Sequence, residues 1–116
     1  KNKNGSIIYI SSTSGIDGNE GRSAYSATKA AIISQAKVLS KELGVHKIRV
    51  NTIAPGLTNT DMMTKNTNSE VIKNFIANTA LKRVGETDEI ANVALFLASN
   101  LSTYISGQVI RADGGM

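Results

Sequence analysis

Short β-branched apolar runs and longer segments with helical periodicity follow one another along the chain. The apolar runs predict three buried strands, at Ser6–Ser11, Ile48–Ala54 and Gln108–Ala112. Apolar residues that recur every three or four positions predict helices over 23–43, over 70–80 and from Thr87 onward. Strands that alternate with helices are typical of a parallel sheet with helical crossovers, so the predicted fold class is α/β.

The longest predicted helix has recognisable ends and a clear packing face. Ser23 is a suitable N-cap residue and Gly44 a suitable terminator. Ile32, Ala36 and Leu39 lie on one face of this helix and predict the side that packs on the sheet. Several alanines keep the side chains of its first turns small, which suits close approach of another helix, a loop or a ligand, or equally reflects only the high helix propensity of alanine.

Polar segments precede and connect the predicted strands and helices. A lead-in covers residues 1–4, and a loop over 12–22 follows the first strand, at the end of a parallel sheet where ligands bind. The polar, methionine-bearing start of 57–80 predicts a flap over such a site. Residues 81–85 form a basic connector, whose two charges could suit an acidic partner but are better interpreted as solvated.

Tyr25 and Lys29 are the most informative pair in the chain. Residues four apart share one face of a helix, so the lysine ammonium lies one turn from the phenol. A nearby cation favours the ionised phenol and makes tyrosine a usable acid or base. Ser12, at the end of the preceding strand, could hold the oxygen that exchanges the proton. For the pair alone, a surface tyrosine beside a solvated lysine is the favoured interpretation, and the neighbouring sequence reverses that preference.

Composition narrows the classes of function. The 116 residues are 41% hydrophobic and 19% charged, as expected for one globular domain. The absence of cysteine excludes disulfides, and a single histidine, His46, gives no basis for a metal site. The net charge of +4 is scattered, so we expect no nucleic-acid binding. No apolar run approaches the ~20 residues of a membrane span, so no membrane partner is expected.

Four motifs in sequence resemble the classical short-chain dehydrogenases/reductases. They are Gly5–Ser12, Tyr25–Lys29, Val50–Gly56 and the closing Asp113–Gly115. The stretch 81–86 with Glu89-Ile-Ala and Phe96-Leu-Ala-Ser looks most like the 3-oxoacyl-[acyl-carrier-protein] reductases of that family. The resemblance covers essentially the whole chain.

The resemblance implies a role for each matching residue. Ser12 would hydrogen-bond the substrate oxygen, with Ser11 as the less favoured candidate, and Tyr25 would be the catalytic acid/base. Lys29 would assist the tyrosine and hold the nicotinamide ribose. Pro55 and Gly56 would form the turn beneath the nicotinamide. The implied cofactor-binding residues are Tyr25, Lys29, Pro55, Gly56, Thr58 and Thr60, and Asn51 receives no chemical role.

The chain departs from the family pattern in one respect. No G-x-x-x-G-x-G turn that would hold a pyrophosphate follows any strand, and the residue that selects NAD or NADP is not identifiable. We therefore expect residues 1–116 to be the carboxyl-terminal half of one doubly wound Rossmann-type domain, without the amino-terminal dinucleotide-binding half. The three strands would lie side by side, the first with an unpaired edge.

The implied function is an NAD(P)-dependent oxidoreductase that interconverts a carbonyl and an alcohol. We expect a cytoplasmic 3-oxoacyl-[acyl-carrier-protein] reductase of fatty acid biosynthesis, acting on a small-molecule or acyl-thioester substrate. It would form a homodimer or homotetramer in its full-length form and be inactive as the isolated chain. Alternatives are a non-catalytic fragment, an oligomerising half-domain, or a sugar, steroid or polyol dehydrogenase.

Overall fold

The computed structural model describes residues 4–116, so most of the predicted polar lead-in lies outside it. The strands are β1 (Gly5–Ile10), β2 (Ile48–Pro55), β3 (Thr58–Asn59), β4 (Gly85–Glu86) and β5 (Val109–Ala112). The helices are α1 (Ser14–Asp17), α2 (Ser23–Leu43), α3 (Asp61–Asn66), α4 (Ser69–Asn78) and α5 (Thr87–Ala98). Short 3-10 turns cover Gly44–His46 and Asn100–Ser102.

The main sheet has the order β1-β2-β5, and both of its strand pairs are parallel. The central strand β2 is buried along Val50–Ala54. The outer strand β1 leaves Ile7 and Ile10 exposed by 37% and 47%, and its outer edge has no partner strand within residues 4–116. The α/β class, the parallel strands and the free edge of the first strand are confirmed.

Helices α2 and α5 pack against the sheet. Ala36 of α2 is buried, as the periodicity predicts, and so is Leu97 of α5. The bounds of α2 also agree with prediction, but its ends differ in detail. Ser23 is the first helical residue rather than the N-cap, a position that Arg22 takes without a side-chain capping bond. At the other end the chain continues into a 3-10 turn, and the left-handed residue is Lys47, with φ 58°, rather than Gly44.

The start of α5 depends on acidic side chains. Thr87 has a residue type that suits a cap, but it is the first helical residue, and the cap is Glu86, which forms a reciprocal capping box with Glu89. Arg83 also binds Glu89, at 2.7 Å. The hydrogen bond from Arg83, followed by that from the Glu86 backbone, lowers the pKa of Glu89 from its ordinary value of 4.5 to about 2.

Several short elements lie where the sequence predicts loops. Helix α1 lies inside the predicted loop 12–22, and the flap segment contains α3 as well as α4. The two-stranded β3-β4 pair joins the start of the flap to the residues before α5. Helix α4 begins one residue earlier and ends two residues earlier than predicted, and its Val71 side chain is 49% exposed although it belongs to the apolar pattern of the helix. The third strand begins at Val109, one residue later than predicted.

No helix within residues 4–116 combines the length and the apolar character needed to cross a membrane.

Candidate active site

The predicted site residues gather at the carboxyl ends of β1 and β2. After β1, the backbone N–H of Ser11 donates to Ile53 O at 2.8 Å, and that of Thr13 donates to Pro55 O at 3.1 Å. The chain therefore crosses the end of β2 before it turns into α1. This edge of a parallel sheet is where α/β proteins bind their ligands.

Tyr25 and Lys29 meet at this edge. The Lys29 Nζ lies 5.8 Å from the centroid of the Tyr25 ring and donates to Ile10 O, the last carbonyl of β1, at 3.3 Å. That bond uses one of the three ammonium N–H donors. Tyr25 is 44% exposed and borders a shallow depression lined by residues 21–25. The helical spacing thus brings the cation beside the phenol, and the strand end holds it there.

The two candidate serines have different environments. Ser11 is buried, and its hydroxyl donates to Lys29 O at 2.7 Å, so it ties β1 to α2. The half-buried Ser12 accepts from the Ser14 N–H at 3.2 Å, and within residues 4–116 its hydroxyl donates no hydrogen bond. Ser12 can therefore donate to a substrate oxygen, whereas the Ser11 hydroxyl is already used. No direct hydrogen bond joins Ser12 to Tyr25 in this part of the chain.

Pro55 and Gly56 form a turn that is locked to the end of the chain. The Gly56 N–H donates to Ala112 O at 3.0 Å. A Cβ on Gly56 would come within 2.8 Å of the Asp113 Cβ and 3.1 Å of the Phe75 ring, so only glycine fits there. This turn therefore brings the end of β2, the closing turn and the flap together.

The two threonines after this turn use their hydroxyls locally. Thr58 Oγ1 donates to Gly56 O at 3.1 Å, and Thr60 Oγ1 accepts from the Met63 N–H at 3.1 Å as the N-cap of α3. The Thr60 hydroxyl hydrogen stays available for a ligand. The basic connector is also used internally, because Lys82 donates to Ala77 O at 2.6 Å and Arg83 binds Glu89.

Four further residues shape the site, and sequence reasoning missed them. Arg22 lies with its guanidinium carbon 6.0 Å from the Tyr25 ring centroid. Gly15 packs so closely on α2 that a Cβ would come within 2.8 Å of the Lys29 carbonyl carbon. Asp17 and Arg111 bind each other across the loop. The three-residue spacing of Arg22 and Tyr25 could have indicated their contact. No local sequence pattern indicates the packing of Gly15 on α2 or the pairing of Asp17 with Arg111.

The acidic residues and His46 do not form a metal centre. No cluster of three or more histidine, cysteine, aspartate or glutamate side chains suited to a metal ion occurs in residues 4–116. His46 is exposed in the 3-10 turn after α2.

Comparison with known proteins identifies the family. A family model described as enoyl-(acyl carrier protein) reductase matches residues 1–116. The chain is 51% identical over 116 residues to a 3-oxoacyl-[acyl-carrier-protein] reductase of Chlamydia trachomatis, covering all of this chain and 46% of the relative. It is 44% identical over 110 residues to a 3alpha-hydroxysteroid dehydrogenase of Mediterraneibacter gnavus, covering 95% of this chain and 44% of the relative. The chain thus spans about half the length of the curated relatives it matches.

Solved structures of similarly named enzymes superpose closely on the chain. A 3-oxoacyl-[acyl-carrier protein] reductase from Brucella melitensis superposes with a TM-score of 0.92 at 37% identity, over 98% of this chain and 42% of that one. A 7 alpha-hydroxysteroid dehydrogenase complexed with NADH and 7-oxo glycochenodeoxycholic acid gives 0.94 at 34% identity, over 98% and 45%. With a family model along its whole length and these relatives, the chain belongs to the short-chain dehydrogenase/reductase family.

Proposed function

We propose that this chain supplies the catalytic half of an NAD(P)-dependent oxidoreductase that interconverts a carbonyl and an alcohol. The observation that carries the proposal is the placement of Lys29, whose ammonium lies 5.8 Å from the Tyr25 ring centroid and is bound to the last carbonyl of β1. Ser12 follows that carbonyl by two residues and keeps a free hydroxyl hydrogen. An acid/base, a cation and a hydrogen-bond donor thus share one sheet edge.

In the reducing direction the substrate carbonyl oxygen accepts a hydrogen bond from Ser12 and a proton from Tyr25. A bound nicotinamide would supply the hydride for the carbonyl carbon. Proton transfer leaves a phenolate, which the cation of Lys29 stabilises together with Arg22, 6.0 Å from the same ring. In the oxidising direction the phenolate takes the proton back. General acid catalysis of this kind contributes about 10²–10⁴-fold to rate.

The residues present fit the nicotinamide end of such a cofactor. Two ammonium donors of Lys29 are free for ribose hydroxyls, because Ile10 O uses only one. The Thr60 hydroxyl hydrogen is free for a carboxamide oxygen, and Thr58, whose side chain binds Gly56 O, would contribute its backbone. The Pro55–Gly56 turn would lie beneath the ring. Nothing in residues 4–116 resembles a pyrophosphate-binding glycine turn, so these residues do not account for binding the rest of the dinucleotide.

We propose accordingly that the chain forms the carboxyl-terminal half of one Rossmann-type domain. Coverage of 46% of the Chlamydia relative and the unpaired edge of β1 support this division. A titration of the isolated 116 residues with NADPH and with NADH tests it. We expect binding far weaker than that of the complete gene product, and equal affinity would contradict the half-domain proposal.

For the substrate we propose a 3-oxoacyl thioester, since reductases of that name share 51% and 50% identity with the chain. The basic connector adds no support for an acidic carrier protein, because Arg83 is neutralised by Glu89 and Lys82 binds a helix carbonyl. A hydroxysteroid is the second candidate, favoured by the relative at 44% identity. NADP or NAD as cofactor, a cytoplasmic location and a homodimer or homotetramer complete the proposal.

Replacement of the tyrosine tests the chemistry. In the complete gene product, Tyr25→Phe removes the transferable proton, and we expect kcat to fall by about 10²–10⁴-fold on a 3-oxoacyl thioester. Tyr104→Phe is the matched control, because Tyr104 is fully exposed and bonded to nothing in the proposed site. A Tyr25→Phe enzyme within threefold of the wild type would remove the proposed acid. Wild-type reduction rates on a 3-oxoacyl thioester and on a 3-oxosteroid, measured side by side, decide between the two proposed substrate classes.

A further inference from the structure

Three charged side chains join α1 to the last strand. The Arg111 guanidinium binds Asp17 through both carboxylate oxygens, at 3.0 and 2.7 Å, and its Nε donates to Asp113 at 2.8 Å. We call these three residues the charged clamp. Arg111 is the only one of the three in a strand, and it lies 94 positions from Asp17 in the sequence.

The clamp completes a path across the sheet edge. The chain leaves β1, binds the end of β2 through the N–H groups of Ser11 and Thr13, and then forms α1. Asp17 is the last residue of α1 and reaches β5 on the far side of β2. The segment is thus fixed at both ends, on β2 by backbone bonds and on β5 by the clamp.

The fixed segment contacts the candidate catalytic group directly. Gly15, in the middle of α1, packs on the Lys29 backbone with no room for a Cβ. Ser12 accepts the N–H of Ser14, the first residue of α1, so its hydroxyl moves with the helix. A displacement of α1 therefore changes the position of Ser12 relative to Tyr25 and Lys29, and misplacements near 1 Å cost about 10²-fold in rate.

We propose that Asp17 and Arg111 are positioning residues that hold the Ser12 hydroxyl in register with Tyr25. This inference rests on the proposed function. The fork geometry suits the role, because a bidentate arginine–carboxylate pair fixes orientation as well as distance. The two carboxylates raise the pKa of Arg111 further above its ordinary range, so the clamp cation is charged at every working pH. Burial opposes ionisation of Asp113, but hydrogen bonds from Arg111 and the Gly115 backbone outweigh it and lower its pKa.

The size of the expected effect follows from exposure. The side chains of Arg111 and Asp17 are 33% and 45% exposed, so water and salt screen their attraction. An exposed pair of this kind biases an equilibrium by about two- to fivefold. Loosening the clamp should therefore increase opening of α1 by that factor. Loss of the bond also lets Ser12 shift within the folded state, and because misplacements near 1 Å cost about 10²-fold, a shift of about 0.3 Å would lower kcat by about two- to fivefold.

Asp17→Asn tests the proposal while conserving shape, and Glu20→Gln is the matched control. Glu20 lies in the same loop and loses the same charge, but forms no ion pair within residues 4–116. Hydrogen exchange of the α1 amides, such as that of Gly18, which donates to Ser14 O at 3.0 Å, reports opening of the helix. In the complete gene product we expect Asp17→Asn to speed this exchange two- to fivefold and to lower kcat about as much, with the cofactor KM unchanged.

The outcomes separate this proposal from the proposed function. Unchanged exchange in Asp17→Asn, or the same acceleration in Glu20→Gln, would show that the clamp does not hold α1. Faster exchange with an unchanged kcat would show that it holds the helix without positioning the site, which also overturns the proposal. A wild type that reduces no carbonyl substrate refutes the proposed function and with it the positioning role, while the exchange measurement still decides whether the clamp holds α1.

Discussion

Replacement of Arg49 should destabilise the fold without touching the candidate chemistry. Arg49 lies in β2, and its guanidinium donates to four acceptors in the last turn of α5 and in the segment that follows it. Its Nη2 donates to Leu97 O at 2.8 Å and Ser99 O at 3.3 Å, and its Nη1 donates to Ser102 Oγ at 3.1 Å and Ile105 O at 3.3 Å. The cation thus binds the carbonyl end of α5, where a positive charge is favourable.

The magnitude can be worked from these contacts. A hydrogen bond from a charged donor contributes about 1.5–3 kcal/mol, and the two shorter bonds, to Leu97 and Ser102, account for most of the total. Leu97 O keeps the Ser6 hydroxyl, which donates to it at 2.8 Å, when Arg49 is removed, so it is not left unsatisfied. Two such bonds sum to about 3–6 kcal/mol. Because Leu97 O keeps a donor and methionine retains the apolar stem, we expect Arg49→Met to lower the free energy of unfolding by the lower end of that range, about 3 kcal/mol.

Urea unfolding followed by circular dichroism measures this loss as a lower midpoint with an unchanged m-value. Arg49→Lys keeps the charge but lacks the planar guanidinium that donates to several acceptors at once, so its free energy of unfolding should fall by about half as much as that of Arg49→Met. Lys37→Met is the control, because Lys37 lies on the exposed face of α2 and its ammonium binds nothing in the described chain; it should stay within about 0.5 kcal/mol of the wild type. A loss below about 1 kcal/mol for Arg49→Met, or equal losses for both Met variants, would refute this account.

Gly15→Ala should push α1 away from Lys29, because the new Cβ would lie 2.8 Å from the Lys29 carbonyl carbon; we expect a loss of about 1–3 kcal/mol in urea unfolding, whereas Gly44→Ala, with nothing within 4 Å, should be neutral or slightly stabilising. Acid should weaken the start of α5, because the folded-state pKa of Glu89, about 2, lies below its ordinary value of 4.5. Its contribution is complete above pH 4.5 and lost as the pH falls toward 2, with the size limited by exposure, so urea midpoints of Glu89→Gln and of the wild type should converge over that range. A constant difference between them down to pH 2 would contradict the role of the Arg83–Glu89 pair.

The parts of the fold that the sequence could predict depend on local periodicity. Residues 23–43 carry a long helical pattern, and the structure begins and ends α2 at those residues. The contact between Tyr25 and Lys29 follows from the same periodicity, since four residues make about one turn. The strand order follows from the alternation of strands and helices together with the resemblance, and residue spacing alone would not fix it.

The parts that the sequence could not predict depend on contacts between distant residues. Helix α1 has four residues and too few positions to show a period, and its last residue binds a strand 94 positions away. Thr87 resembles a cap by residue type, but Glu86 takes that role because Glu89 reaches back to its N–H at 2.8 Å. The pattern of apolar and polar residues also could not decide which hydroxyl, that of Ser11 or that of Ser12, is free to bind a substrate oxygen. Only the position of α2 shows that the Ser11 hydroxyl is used by Lys29 O.

The closing turn holds the site together although none of its residues belongs to the predicted chemistry. Asp113 packs against Gly56 and completes the charged clamp, so it connects the cofactor-side turn to α1. The carbonyls of Gly114 and Gly115 accept the N–H groups of Leu81 and Ala80, at 3.0 and 3.1 Å, which fixes the end of the flap. Both glycines have positive φ, 67° and 79°, and a Cβ on either would clash with this segment. Because the turn after β2, the loop after β1 and the flap all meet these three residues, β5 determines the geometry of a site whose reacting groups lie on β1 and α2.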